Sequence, residues 1–141
     1  MTGGQLRIVV AVDDSEGAAR AVRFVARLAP SLGAEVVAVH ALGLLAHLGG
    51  ETAVPAQAHR DEVRALLERW AGPLADAGVP YRCEVVDGNP VQALLSAAAD
   101  EGADVIVVGK RAAIGVPGLQ LGSTSQQLVQ HADIPVVVVP G

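Results

Sequence analysis

"RIVVAVDDSEGAARAVRFVARLAPSLG", Arg7 to Gly33, decides the fold. It opens with the apolar run Arg7 to Val12, the pattern of a strand buried on both faces rather than half in water. Two carboxylates follow, Asp13 and Asp14, and then Ser15, whose hydroxyl can cap a helix by accepting from a free backbone N–H. Behind Ser15 the apolar residues Ala18, Val22, Val25, Ala29 and Leu32 recur at helical spacing, and Gly33 supplies the stop. A buried strand that feeds an amphipathic helix is the unit of a parallel sheet, because parallel neighbours need a crossover.

The unit repeats downstream. "EVVAVH" (Glu35 to His40) reads as a second strand. Residues 43–59, "GLLAHLGGETAVPAQAH", are Gly-rich and aperiodic and predict a loop. Val63, Leu66, Leu67, Trp70 and Leu74 mark a second helix, bent at Gly72-Pro73. "YRCEVV" (Tyr81 to Val86) alternates as an exposed or edge strand does. Asn89 as N-cap and Pro90 at the first helical position start a third helix, which Val91, Leu94, Leu95 and Ala98 carry to Gly102. "DVIVVG", "GSTSQQLVQHA" and "PVVVVP" (Pro135 to Pro140) predict a strand, a helix and a last strand. Strands alternating with helices in this way predict an α/β fold, an open five-stranded parallel sheet with helices on both faces and right-handed crossovers.

The 141 residues fit one domain, 1–141, with room for a sizeable core. With 51% hydrophobic but 2% aromatic residues, that core is built from Val, Leu, Ile and Ala. A formal net charge of -5 offers no basic footprint for nucleic acid or an acidic membrane. No window approaches the roughly 18 apolar residues of a membrane span, and "MTGGQLRIVV" does not read as a targeting segment. The single cysteine, Cys83, rules out an internal disulfide framework and predicts a reduced, cytoplasmic setting. Cys83 itself reads as a small apolar packing residue.

Open parallel sheets bind ligands at the carboxyl ends of their strands, where the strand order reverses. Two loops therefore matter: the one after strand 1, with Asp13, and the one after strand 4, "GKRAAIGVPGLQLGSTS" (Gly109 to Ser125). Gly109, Gly115, Gly118 and Gly122 let backbone approach a ligand closely. Gly122-Ser123-Thr124 opens a helix whose free N–H groups favour an anion, and Lys110 and Arg111 add two cations. Together these argue for phosphate. Asp13 and Asp14 leave three readings open at this point: a Mg²⁺ seat, a contact to a nucleotide sugar, or complementation of the helix dipole. His40, His47, His59 and His131 show no metal-ligand spacing, and His40, within a strand, reads as a hydrogen-bonded structural residue.

The loop resembles that of the universal stress protein family, whose ATP-binding members carry Gly, two residues, Gly, nine residues, then Gly followed by Ser or Thr. Gly109 takes the first place and Gly122-Ser123 the last, while Ala112 stands where the middle glycine belongs. The likeness runs through "VAVDDSE", "VVAVHAL", "GNPVQALLSAAADEGADVIVVG" and "GSTSQQLVQHADIPVVVVP". It implies a Rossmann-like fold of the adenine nucleotide alpha hydrolase type, with strand order 3-2-1-4-5. It also implies ATP or another adenine nucleotide as ligand, with Mg²⁺ as a possible companion ion, and a role in stress response or dormancy. Asp13 would meet the ribose. Backbone at Ala11 and Ala41 would frame the adenine, with Val12 a further nucleotide-binding residue, and Gly109, Arg111, Ala112, Gly122, Ser123 and Thr124 would surround the phosphates. An alanine at 112 costs about 1 to 2 kcal/mol if the backbone there is left-handed.

A response-regulator receiver would need a lysine after the last strand, and the only lysine follows strand 4. The Walker A and GxGxxG patterns are missing, as is a GxSxG context for Ser15. The opening carboxylates therefore resolve into Asp13 as a sugar contact and Asp14 as a helix-start acid. No catalytic residue and no side-chain metal site are singled out, which leaves room for at most weak ATPase or autophosphorylation activity. The resemblance further implies a homodimer through the apolar C-terminal strand, Val136 to Val139, with no nucleic-acid or membrane partner and with protein partners unspecified. The alternative function is a nucleotide-independent dimeric interaction protein of the same fold.

Overall fold

A computed structural model of the chain describes residues 4–42, 56–110 and 123–140. Five strands, β1 (Arg7–Ala11), β2 (Glu35–Ala41), β3 (Tyr81–Val86), β4 (Val105–Gly109) and β5 (Val136–Val139), form one sheet in the order β3-β2-β1-β4-β5. Every pairing is parallel, as the doubly wound expectation requires. Helices α1 (Glu16–Leu32), α2 (Ala56–Trp70) and α3 (Gly72–Asp76) cover one face, around Ile8, Val10, Val36 and Val107. Helices α4 (Pro90–Glu101) and α5 (Ser123–His131) cover the other, around Val9, Val37, Ile106 and Val108. Alternate residues of each strand feed opposite cores, which is why the strands read as unbroken apolar runs.

The helix ends form where the sequence places them. Ser15 Oγ accepts from the Ala18 N–H at 3.1 Å, Asn89 Oδ1 accepts from the Gln92 N–H at 2.9 Å, and Gly33 and Gly102 close α1 and α4 at φ 61° and 63°. Three expectations need correction. Leu32 does not join the buried stripe of α1 but is 44% exposed. The 17 residues of α1 span about 25 Å against about 17 Å for a five-residue strand, and the buried stripe ends at Ala29, one turn before Leu32. The loop expected over 43–59 ends earlier, because α2 begins at Ala56, and Ala and Gln are good helix formers; residues 43–55 lie outside the described part. The bent helix is two helices, with Pro73 starting a separate short one.

The two sheet edges differ. Val36 and Leu42 donate to the carbonyls of Pro80 and Val86, so the carbonyls of Cys83 and Val85 point away from the sheet. Arg64 Nη1 donates to the Cys83 carbonyl at 3.0 Å, and Arg60 Nη2 to that of Val85 at 2.9 Å, so α2 seals the β3 edge. On β5, Pro135 and Val139 accept from Ile106 and Lys110, which turns the backbone of Val136 and Val138 outward, with no hydrogen-bond partner among the described residues. The amino ends of the strands are closed by ion pairs, Arg7 with Glu35 and Arg82 with Glu101. Among the described residues no helix is long and apolar enough to cross a membrane.

Candidate functional site

Chain order reverses between β1 and β4, and at their carboxyl ends the sheet opens into a cleft of about 410 Å³. Its floor is the ends of β1 (Ala11, Val12, Asp13), β2 (Val39 to Leu42) and β4 (Val108, Gly109). Its walls are the first turns of three helices: Ser15 and Ala18 of α1, Asn89, Pro90 and Leu94 at α4, and Thr124 and Ser125 of α5. Helix starts carry partial positive charge and unpaired N–H groups, so the cleft is suited to an anion.

Of the residues expected at the site, Ala11, Val12, Asp13, Ala41, Gly109 and Thr124 all line this cleft. Ser123 is the first residue of α5, at the same end of the sheet. Arg111, Ala112 and Gly122 lie outside the described residues, as does His47. Asp13 Oδ1 accepts from the Ser15 N–H at 2.8 Å, which shapes the turn into α1, while Asp14 is exposed at the helix start. Ser125, 3% exposed, donates through Oγ to the Gly109 carbonyl at 3.2 Å and so pins the first turn of α5 to the end of β4.

Gly109 has a role that sequence reasoning assigned to the ligand. A β-carbon there would stand 2.1 Å from the Gly17 carbonyl oxygen, and one on Gly17 would stand 3.1 Å from the Lys110 carbonyl oxygen. The glycine is required by the passage of α1 over the end of β4, because only two bare backbones can approach so closely.

Sequence reasoning missed His40 as a cleft residue, although it correctly read the side chain as hydrogen-bonded. Its ring Nδ1 donates to the Val12 carbonyl at 2.8 Å, and the ring lies 5.7 Å from that of Trp70, inclined by 51°. The missed wall residues Asn89, Pro90 and Leu94 carried a signal in "GNP", an N-cap placed at a strand's carboxyl end. Cys83 is buried in β3 as expected, and burial first, then the nearby Glu68 carboxylate, pushes its thiol up to about 12. Among the described residues no group of three or more His, Cys, Asp or Glu could hold a metal ion.

Fold and cleft together define the class: a doubly wound α/β domain with an anion-suited seat at the switch point of its sheet. The universal stress protein family model matches residues 6–140, and the chain belongs to that family. It is 37% identical over 133 residues to the universal stress protein in the QAH/OAS sulfhydrylase 3' region of Thermus aquaticus, covering 94% of this chain and 96% of that one. Among solved structures it is similar to a universal stress protein in complex with cAMP, with 25% identity, TM-score 0.73 and coverage of 97% and 98% of the two chains. A universal stress protein from Archaeoglobus fulgidus in complex with dAMP gives 26%, 0.70, and 95% and 97%.

Proposed function

We propose that this universal stress protein domain, spanning 1–141, binds an adenine nucleotide, ATP foremost, and acts as a nucleotide-dependent regulator of stress response or dormancy in the cytoplasm. The observation that carries the reading is the cleft in which Asp13, the Ala41 backbone and the Thr124 turn converge on one space. In it Asp13 accepts from the ribose hydroxyls, backbone at Ala11 and Ala41 frames the adenine with Val12 beside it, and Gly109, Arg111, Ala112, Gly122, Ser123 and Thr124 surround the phosphates. The cAMP and dAMP complexes of the similar structures support the choice of ligand class. Mg²⁺ would be held by the phosphates rather than by a side-chain cluster. Calorimetric titration with ATP, ADP and AMP, with and without Mg²⁺, is expected to give saturable binding. No heat and no thermal shift at millimolar nucleotide would overturn the reading.

A homodimer through β5 belongs to the same proposal, and it is favoured by the outward-facing backbone of Val136 and Val138. The helices in contact with β5, α1 and α5, also carry Phe24, Leu32 and Val129, three of the four exposed large apolar side chains among the described residues. That edge supports a second reading as well, a dimeric interaction protein that works without nucleotide. A dimer that forms while every nucleotide titration stays silent would select it.

A further inference from the structure

We propose that His40 is a positioning residue that sets which base the cleft accepts; this rests on the reading that an adenine nucleotide occupies it. The register of β1 with β2 ends at Ala11 and Val39. Beyond it the Val12 N–H still donates to the Val39 carbonyl at 2.9 Å. Alternate residues of a strand face the same neighbour, so the next rung of the ladder would run from the Ala41 N–H to the Val12 carbonyl. The His40 ring takes that carbonyl instead, at 2.8 Å. A carbonyl only accepts, so the ring Nδ1 carries a proton. Trp70 backs the ring from α2.

The consequence falls on Ala41. Its N–H and C=O point to the side that β1 has vacated, and the residue lines the cleft. A donor and an acceptor side by side match adenine, whose N1 accepts and whose N6 amino group donates. Hypoxanthine in the same seat presents the reverse, an N1–H donor and an O6 acceptor, and sets like against like. Without the ring's N–H, the Val12 carbonyl, on a residue only 3% exposed, would lack a partner, and the Ala41 N–H is the donor that the register of the ladder assigns to it. Closing that rung removes the donor that adenine N1 needs.

The test compares wild type with H40L, which fills the space without a donor, and H40N, whose side-chain amide can place an N–H where Nδ1–H stands. Wild type is expected to prefer AMP to IMP. H40L should lower that preference by about tenfold, the scale of one lost hydrogen bond, and H40N should hold it within about threefold. Ribose 5-phosphate, which carries no base, should bind all three alike. An unchanged AMP to IMP ratio in H40L overturns the inference. Two readouts need no nucleotide: two-bond ¹H–¹⁵N spectra should show His40 with its proton on Nδ1, and amide exchange at Ala41 should slow by about tenfold or more in H40L as the rung closes. A bare Nδ1, or unchanged exchange at Ala41 in folded H40L, overturns the role of His40 whatever the titrations give. Failure of the wild type to bind AMP overturns the nucleotide reading and the choice of base with it, while the exchange result separately decides whether His40 holds the rung open.

Discussion

Gly17 and Gly109, on α1 and at the end of β4, meet backbone to backbone: a β-carbon on Gly109 would lie 2.1 Å from the Gly17 carbonyl oxygen and 2.3 Å from its carbonyl carbon. Neither partner is a movable side chain, so relief requires α1 to lift from the sheet. Gly109→Ala is therefore expected to lower stability by about 3 kcal/mol or more, at or above the top of the usual range for overpacking. Gly17→Ala meets the Lys110 carbonyl at 3.1 Å, a contact a small shift relieves, and should stay within about 1 kcal/mol of wild type because helix propensity improves. Urea midpoints at constant slope check both, and a Gly109→Ala protein as stable as its parent would contradict the close crossing.

Asp13→Asn keeps an oxygen to accept the Ser15 N–H but removes the charge, so it should fold normally. If Asp13 holds ribose hydroxyls, nucleotide affinity falls by about tenfold, the usual scale for a charge-assisted hydrogen bond. Titration of the variant with AMP checks this, and unaltered affinity would remove Asp13 from the site.

In the loop after β4, if the phosphates require a left-handed backbone at position 112, where an alanine costs about 1 to 2 kcal/mol, Ala112→Gly should tighten nucleotide binding by up to about tenfold. Gly122→Val should abolish binding by blocking close approach of the phosphates. Unchanged affinity in both variants would place the phosphates elsewhere.

Val138 has its backbone on the outer margin of β5 and packs its side chain against the core under α4 and α5, so Val138→Lys should dissociate or precipitate the protein, where the wild type is expected to sediment as a dimer of the 14.3 kDa chain. Sedimentation equilibrium at tens of micromolar decides it, and a wild-type monomer would refute assembly through this strand.

The Cys83 thiol, near 12 when folded against 9.0 for the free group, keeps its proton over a range in which the unfolded chain loses it. Its contribution to stability is thus fully present below pH 9.0 and is progressively lost as the pH rises toward 12. Tyr81, raised by burial first and then by Glu68, acts in the same sense. Urea unfolding at about pH 8 and about pH 10 should show a smaller loss for Cys83→Ala than for wild type. Equal losses would mean that the thiol is not held protonated.

Features that depend on a few neighbouring residues were legible before any coordinates. Ser15 and Asn89 cap helices as their chemistry dictates, and Gly33 and Gly102 end them in the left-handed conformation. Asp13 and Thr124 could be grouped in advance because a parallel sheet brings the carboxyl ends of its strands together, while Ala41 and the strand order came from the family likeness. What escaped is tertiary. Gly109 answers to Gly17, 92 positions away, His40 answers to Val12, and Arg60 and Arg64 answer to carbonyls that become bare only once β3 lies at an edge. No local pattern marks any of these pairs.

The arginines of α2 also bear on how far the sheet can grow. A flat sheet with two bare margins can recruit neighbours on both sides without limit, which is the geometry of a fibre. With Arg60 and Arg64 occupying the outer carbonyls of Val85 and Cys83, the Val136 to Val139 margin is the one among the described residues left to accept a strand, so whatever docks there is the last addition on that chain. If the newcomer is another copy of the same molecule, each copy uses up the other's single free margin, and polymerisation terminates at its first step.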